Sequence, residues 1–255
     1  MKLSIREIFM QTVILLSVSF MAPAQAAIAL DRTRIVFDGT QKSVSLNITN
    51  ENKHLPYLAQ AWIEDENGNR INGPLIVLPP VQRIEPGKPS QVKIQALPAI
   101  GQLPQDRESL YYFNLREIPP RSDKPNTLQI ALQTRIKLFY RPEGIIKTRS
   151  EIANPWQEKL IVRRTGEKFM IKNPTPYYIT IVDVSNKIAA AGINGFQPFM
   201  IPPNQEMQLG VSVVSVGAHP VVTYINDYGG RPQLIFNCTA NPCQLVSQKS
   251  PKPVN

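Results

Sequence analysis

The stretch NTLQIALQTRIKLFYRP, residues 126–142, has a two-residue period. Its even positions run Leu128, Ile130, Leu132, Thr134, Ile136, Leu138, while Gln129, Gln133, Arg135, Lys137 and Arg141 stand at odd ones. Successive side chains of a β-strand point to opposite faces, so this alternation predicts a strand with one apolar edge row. The run is long, since most strands hold about 5–6 residues. Two readings follow. The row closes the protein's own core, or it is kept for another protein.

The neighbouring sequence repeats the pattern in shorter form. SVSLNIT places Val44, Leu46 and Ile48 on one side, and YLAQAWIE, SQVKIQAL, SLYYFNLREI, KLIVRR and KFMIKN alternate in the same way. The 24 prolines fall mostly between these runs, as in Pro79-Pro80, Pro119-Pro120 and Pro202-Pro203. NGN at 67–69 and EPGKP at 85–89 read as turns. Outside the N-terminus no segment keeps helical apolar spacing. Many short strands punctuated by turns predict an all-β sandwich protein. The alternation breaks at RPEGIIKTRSEIANPW and then resumes, so two sandwiches of about 115 residues each are expected, joined near 142–150. The tail VSQKSPKPVN reads as polar and loose.

The first 26 residues read as an export signal. Lys2 and Arg6 precede an apolar run from Thr12 to Met21, followed by Ala24-Gln25-Ala26, a small-x-small cleavage pattern. The run is shorter than the roughly 20 residues that span a bilayer. Cleavage after Ala26 would leave about 229 of the 255 residues. The net charge is +9; the leader holds Lys2, Arg6 and Glu7, which leaves +8 on the remainder. Basic residues are dispersed, and an exported chain meets little nucleic acid, so no nucleic-acid partner is expected. Cys238 and Cys243 are the two cysteines. An even count in an exported chain predicts a disulfide, worth about 2 kcal/mol across so small a loop. The alternative, a metal pair, lacks ligands, because His54 and His219 are distant.

No catalytic constellation emerges. Two histidines in polar turns, ENKHLP and GAHP, limit nucleophile–base schemes. G-x-S-x-G, H-E-x-x-H, the P-loop and the dinucleotide fingerprint are all missing. No enzyme activity, cofactor or metal is expected.

Several longer motifs carry a resemblance. LPQDRESLYYFNLREIP (103–119), DRTRIVFDG, IALQTRIKLFYRP, NPTPYY and YINDYGGRP together resemble the periplasmic pilus-assembly chaperones. The likeness is dense over 27–145 and patchier after Val184, around KIAAAGINGFQPF. It implies two immunoglobulin-like sandwiches at an angle, residues 27–145 and 146–255, with a cleft between them. It implies a protein of the Gram-negative periplasm that binds pilus subunits lacking their last strand. Such a protein lends one of its own strands and delivers the guest to an outer-membrane usher.

On that resemblance, Leu128, Ile130 and Leu132 form the lent row, while Ile136 and Leu138 stay in the core. Arg34 and Lys137 correspond to the pair that holds the guest's C-terminal carboxylate. Glu108, Arg141 and Asp227 correspond to a charge cluster that sets the angle between the sandwiches. Lys137 has the opposite parity to the apolar row, so twist, a bulge or the strand's position must reconcile the two. A long open edge also predicts self-association. The alternative is an exported structural pilus subunit or adhesin. The polar end SPKPVN and the strand-like AIALDRTRIVF after the leader speak against it.

Overall fold

The computed structural model describes residues 26–148, 151 and 154–249; the predicted leader lies outside them except for Ala26. Two β-sandwiches follow one another. The first has a four-stranded sheet, ordered β1 (Ile28–Leu30), β3 (Ser43–Asn50), β7 (Pro89–Ala96), β5 (Leu75–Leu78). Against it lies a five-stranded sheet, ordered β2 (Arg34–Asp38), β9 (Gln133–Arg141), β8 (Ser109–Ile118), β4 (Tyr57–Glu64), β6 (Val81–Ile84). The second sandwich pairs β10 (Ile161–Thr165), β11 (Lys168–Lys172) and β14 (Glu206–Ser212) in one sheet. Its other sheet runs β13 (Phe199–Ile201), β12 (Ile179–Ser185), β15 (Val221–Ile225), β16 (Gln233–Asn237), β17 (Gln244–Lys249). Among the described residues the longest helical turn outside 3-10 geometry is α1 (Val213–Val216).

Each sandwich has its own core. Leu46 and Ile48 of β3, Ala59, Ala61 and Ile63 of β4, Val92 and Ile94 of β7, and Phe113 of β8 are all buried in the first. These are the alternate positions that the sequence pattern assigns to one face, and each fully buried Leu, Ile, Val or Phe side chain contributes about 1.5–3 kcal/mol. Phe169 and Ile171 of β11, Val162, Tyr177 and Tyr224 fill the second. Ile145, just past the first sandwich, already packs against this second cluster.

Most pairs are antiparallel, but β2 runs parallel to β9, with Arg34 opposite Lys137 and Asp38 opposite Arg141. Gly39 ends β2. Its N–H donates to the Arg141 carbonyl at 2.8 Å, and a Cβ there would also lie 2.8 Å from that oxygen. Only glycine allows the chain to close on β9 at this point.

Two expectations are corrected. The run predicted as one strand from Asn126 is a strand only from Gln133. Its partner β8 is followed by Pro119 and Pro120, which offer no N–H, so the ladder stops. The tail expected to be loose is in part a strand, since Gln233–Ile235 of β16 pair with Ser247–Lys249 of β17. Cys238 and Cys243 are joined in a disulfide that ties the β16–β17 hairpin.

Candidate functional site

Strand β9 and the segment before it carry all the β9-side residues of interest. Even-numbered Ile136, Leu138 and Tyr140 face the first core. Odd-numbered side chains face the other way. Lys137 Nζ donates to Thr180 Oγ1 at 3.0 Å, the Phe139 ring lies 5.8 Å from that of Tyr178, and Arg141 reaches Asp227. The β8–β9 register is continuous from Ser109↔Tyr140 to Arg116↔Gln133, so no bulge is needed to reconcile Lys137 with the apolar row. Lys137 and the core row Ile136, Leu138 and Tyr140 belong to opposite faces of one regular strand, and Leu128, Ile130 and Leu132 precede it. The row Leu128, Ile130, Leu132 continues the parity of the core row.

Past the end of the ladder that row lies in water. Leu128 is 84% exposed, Ile130 65% and Leu132 42%. The last backbone contact is Glu117 N–H to the Leu132 carbonyl at 3.0 Å. Gln129 tethers the segment, donating to the Pro120 carbonyl at 2.6 Å and accepting from Ser122 N–H at 3.4 Å. On its other side β9 meets β2 only from Lys137 onward. The backbone of Gln133–Ile136 therefore presents an open edge in the lane that β2 occupies further along.

Arg34 and Lys137 stand where that lane ends. Arg34 Nη1 donates to the Ile225 carbonyl at 3.4 Å, and its buried Nε has no partner. Burial lowers the Arg34 pKa, against the pull of Asp227 and Glu108. Burial, with Arg34 adding repulsion, pushes Lys137 down to about 8. Two half-buried cations face each other, and among the described residues neither has a carboxylate bonded to it. Such an arrangement is electrostatically incomplete and suits an anion.

The second charge group is complete. Glu108 Oε1 accepts from Arg141 Nε at 2.9 Å and Nη2 at 2.6 Å, and its Oε2 accepts from Tyr178 N–H at 2.7 Å. Arg141 Nη1 donates to Asp227 Oδ2 at 2.9 Å. The guanidinium carbon lies 5.1 Å from the Trp156 ring centre and 4.9 Å from that of Tyr177. Burial pushes the Glu108 carboxyl up to about 7, opposed by Arg141 and the Tyr178 N–H. Burial also acts to lower the Arg141 pKa, but Glu108 and Asp227 reverse it and hold the pKa above its ordinary value. Glu108 and Arg141 come from the first sandwich, Tyr178 and Asp227 from the second, so the cluster spans the joint.

Comparison with known proteins places this geometry. Residues 27–146 match the model of the pili and flagellar-assembly chaperone, PapD N-terminal domain, and residues 155–236 match that of the pili assembly chaperone PapD, C-terminal domain. The chain belongs to the PapD family of pilus-assembly chaperones. It is 51% identical over 227 residues to the chaperone protein PapD of Escherichia coli, covering 89% of this chain and 92% of that one. It is 50% identical over 229 residues, 90% of each chain, to the probable fimbrial chaperone YfcS of Escherichia coli K12. Among solved structures it resembles the SafB chaperone in complex with the Salmonella enterica SafA pilin, with a TM-score of 0.65 at 25% identity, covering 82% of this chain and 95% of that one. This is a family of fimbrial chaperones, which are not enzymes and work in the periplasm, and the disulfide fits export.

Within this chaperone the structure brings together Arg34 with Lys137, and Glu108 with Arg141 and Asp227. It leaves the apolar row apart, exposed ahead of β9. Sequence reading missed Tyr178 and Thr180. Their signal was NPTPYY, where Asn173 Nδ2 donates to the Tyr177 carbonyl at 2.7 Å and fixes the turn that delivers them.

Proposed function

We propose that this chaperone captures newly exported pilus subunits by donating the edge of residues 126–136. Leu128, Ile130 and Leu132 enter the guest's open groove and continue the chaperone's own core row. Burying three such side chains yields about 5–9 kcal/mol before association and ordering costs. The guest's last strand lies in the lane of β2. Its C-terminal carboxylate meets Arg34 and Lys137, so it runs parallel to β9. Glu108, Arg141 and Asp227 hold the two working units, 27–145 and 146–255, at the angle that forms the cleft. The chaperone then passes the guest to an outer-membrane usher. It reaches the periplasm by a leader cleaved after Ala26 and performs no catalysis. Three features meet along β9 and the segment before it: an exposed apolar row, an unpaired edge, and at the end of that edge two half-buried cations, Lys137 and Arg34 of β2, with no carboxylate hydrogen-bonded to either among the described residues. The cations are the observation that carries the reading, because a fold has no internal reason to bury them unpaired.

The test is co-purification. Periplasmic extracts carrying a pilus subunit and the wild-type chain should yield a one-to-one complex. A subunit whose last residues are removed should not copurify. Equal recovery of the truncated subunit would contradict the carboxylate anchor.

A further inference from the structure

The basic pair accounts for only one wall of the interdomain cleft. Beside it opens a pocket of about 560 Å³, lined by Asp31, Arg32, Thr33, Arg34 and Val36 of the first sandwich and by Asp227 and Tyr228 of the second. A carboxylate fills a small part of that volume. Apart from Arg34, the charged groups of the lining are engaged, Asp31 with Arg32 at 2.8 Å and Asp227 with Arg141. Tyr228 is not. Its side chain belongs to a residue 82% exposed, although it sits on a closed loop. Asn226 Oδ1 accepts from the N–H groups of Tyr228 at 3.1 Å and Gly230 at 2.8 Å, and Gly229 N–H donates to the Asn226 carbonyl at 3.0 Å. At Gly229, where φ is +81°, a Cβ would lie 2.9 Å from Thr33 Oγ1, so the loop presses directly on the first sandwich. An exposed aromatic residue thus stands on a braced loop and lines a pocket to which Val36 contributes an apolar side chain. Rigid exposed aromatics lose little freedom on contact and dominate recognition surfaces.

We propose that Tyr228 reads the guest's last side chain. When the terminal carboxylate is held by Arg34 and Lys137, that side chain enters the pocket and packs on the ring, so bulky apolar or aromatic C-terminal residues are favoured over glycine. The assignment rests on the carboxylate anchor proposed above. The test uses peptides copying a pilus subunit's last strand, ending in Phe, Leu or Gly, each as free acid and as amide, titrated calorimetrically. The wild-type chain is expected to bind the Phe-ended acid about tenfold more tightly than the Gly-ended one, about 1.4 kcal/mol. Tyr228→Ala should erase that preference and leave the Gly-ended affinity within twofold; Tyr228→Phe should keep it. Equal weakening of every peptide by Tyr228→Ala, or no change at all, would overturn the assignment. If amides bound as tightly as acids, the anchor itself would fail and the assignment with it. Loss on amidation with no dependence on the terminal side chain would overturn the Tyr228 assignment alone.

Discussion

Lys137 and Arg141 lie four residues apart on one strand and face the same domain joint, yet their electrostatic states are opposite. Arg141 has two carboxylates within 2.9 Å and two aromatic rings against its guanidinium, and its pKa is raised. Lys137 has a hydroxyl, a neighbouring cation and a pKa pushed down to about 8. The first group is a finished internal structure. The second has no carboxylate bonded to it among the described residues. On the proposed reading the difference separates residues that hold the protein's shape from residues that bind its guest, and the two kinds of substitution should behave oppositely.

The largest effect is expected from breaking the finished cluster. Arg141→Ala strands the buried Glu108 carboxylate and should destabilise the chain by about 3–5 kcal/mol in denaturant unfolding. Capture of subunits would fall only as a consequence. Breaking the unfinished site should do the reverse. Arg34→Ala or Lys137→Met should weaken subunit binding by about 2–5 kcal/mol, measured by titration, while unfolding midpoints hold or rise. A midpoint that fell as far as for Arg141→Ala would erase the distinction.

The apolar row should behave like the unfinished site. Leu128→Ser, Ile130→Ser and Leu132→Ser are each expected to weaken capture by about 1.5–3 kcal/mol, with the most exposed positions leaving stability untouched in thermal melts. The same substitutions should abolish any self-association of the free chain seen by analytical ultracentrifugation, since both processes draw on one open edge.

The smallest effect is a pH dependence. Free Lys137 loses its proton near pH 8, and a bound carboxylate favours the charged form, so its pKa rises in the complex. Affinity should be level below pH 8 and fall above it, by at most tenfold per pH unit. The stability of the free chain carries the opposite sign. The unfolded lysine titrates at 10.5, so between about 8 and 10.5 the unfolded state binds more protons and this group's contribution to stability rises with pH. Lys137→Met should remove both slopes, which titrations and melts across pH 7–10 would reveal.

Local alternation made the strands readable. SLYYFNLREI coincides with β8, and YLAQAWIE with β4, because each alternates against a single core. The start of β9 was not readable, because it depends on prolines at the far end of its partner. Nor could the sequence alone say that Arg34 and Lys137 are half-buried neighbours, since one basic residue reads like another until a parallel pairing sets them side by side. Glu108, Arg141 and Asp227 were named through whole motifs. Their contacts span 33 and 86 residues, beyond the reach of any periodicity. The feature that composition could never expose is the sidedness of β9, with Ile136, Leu138 and Tyr140 on the core face and Lys137 on the cleft face beside Arg34 of β2.

That sidedness makes hydrogen exchange the most direct examination of the account. Amides of Leu128–Ile136 should exchange rapidly or with modest protection in the free chaperone and become strongly protected in a complex with a pilus subunit, while those of β4 and β11 stay unchanged. Exchange across Leu128–Ile136 as fast in the complex as in the free chain would contradict the donation of this edge.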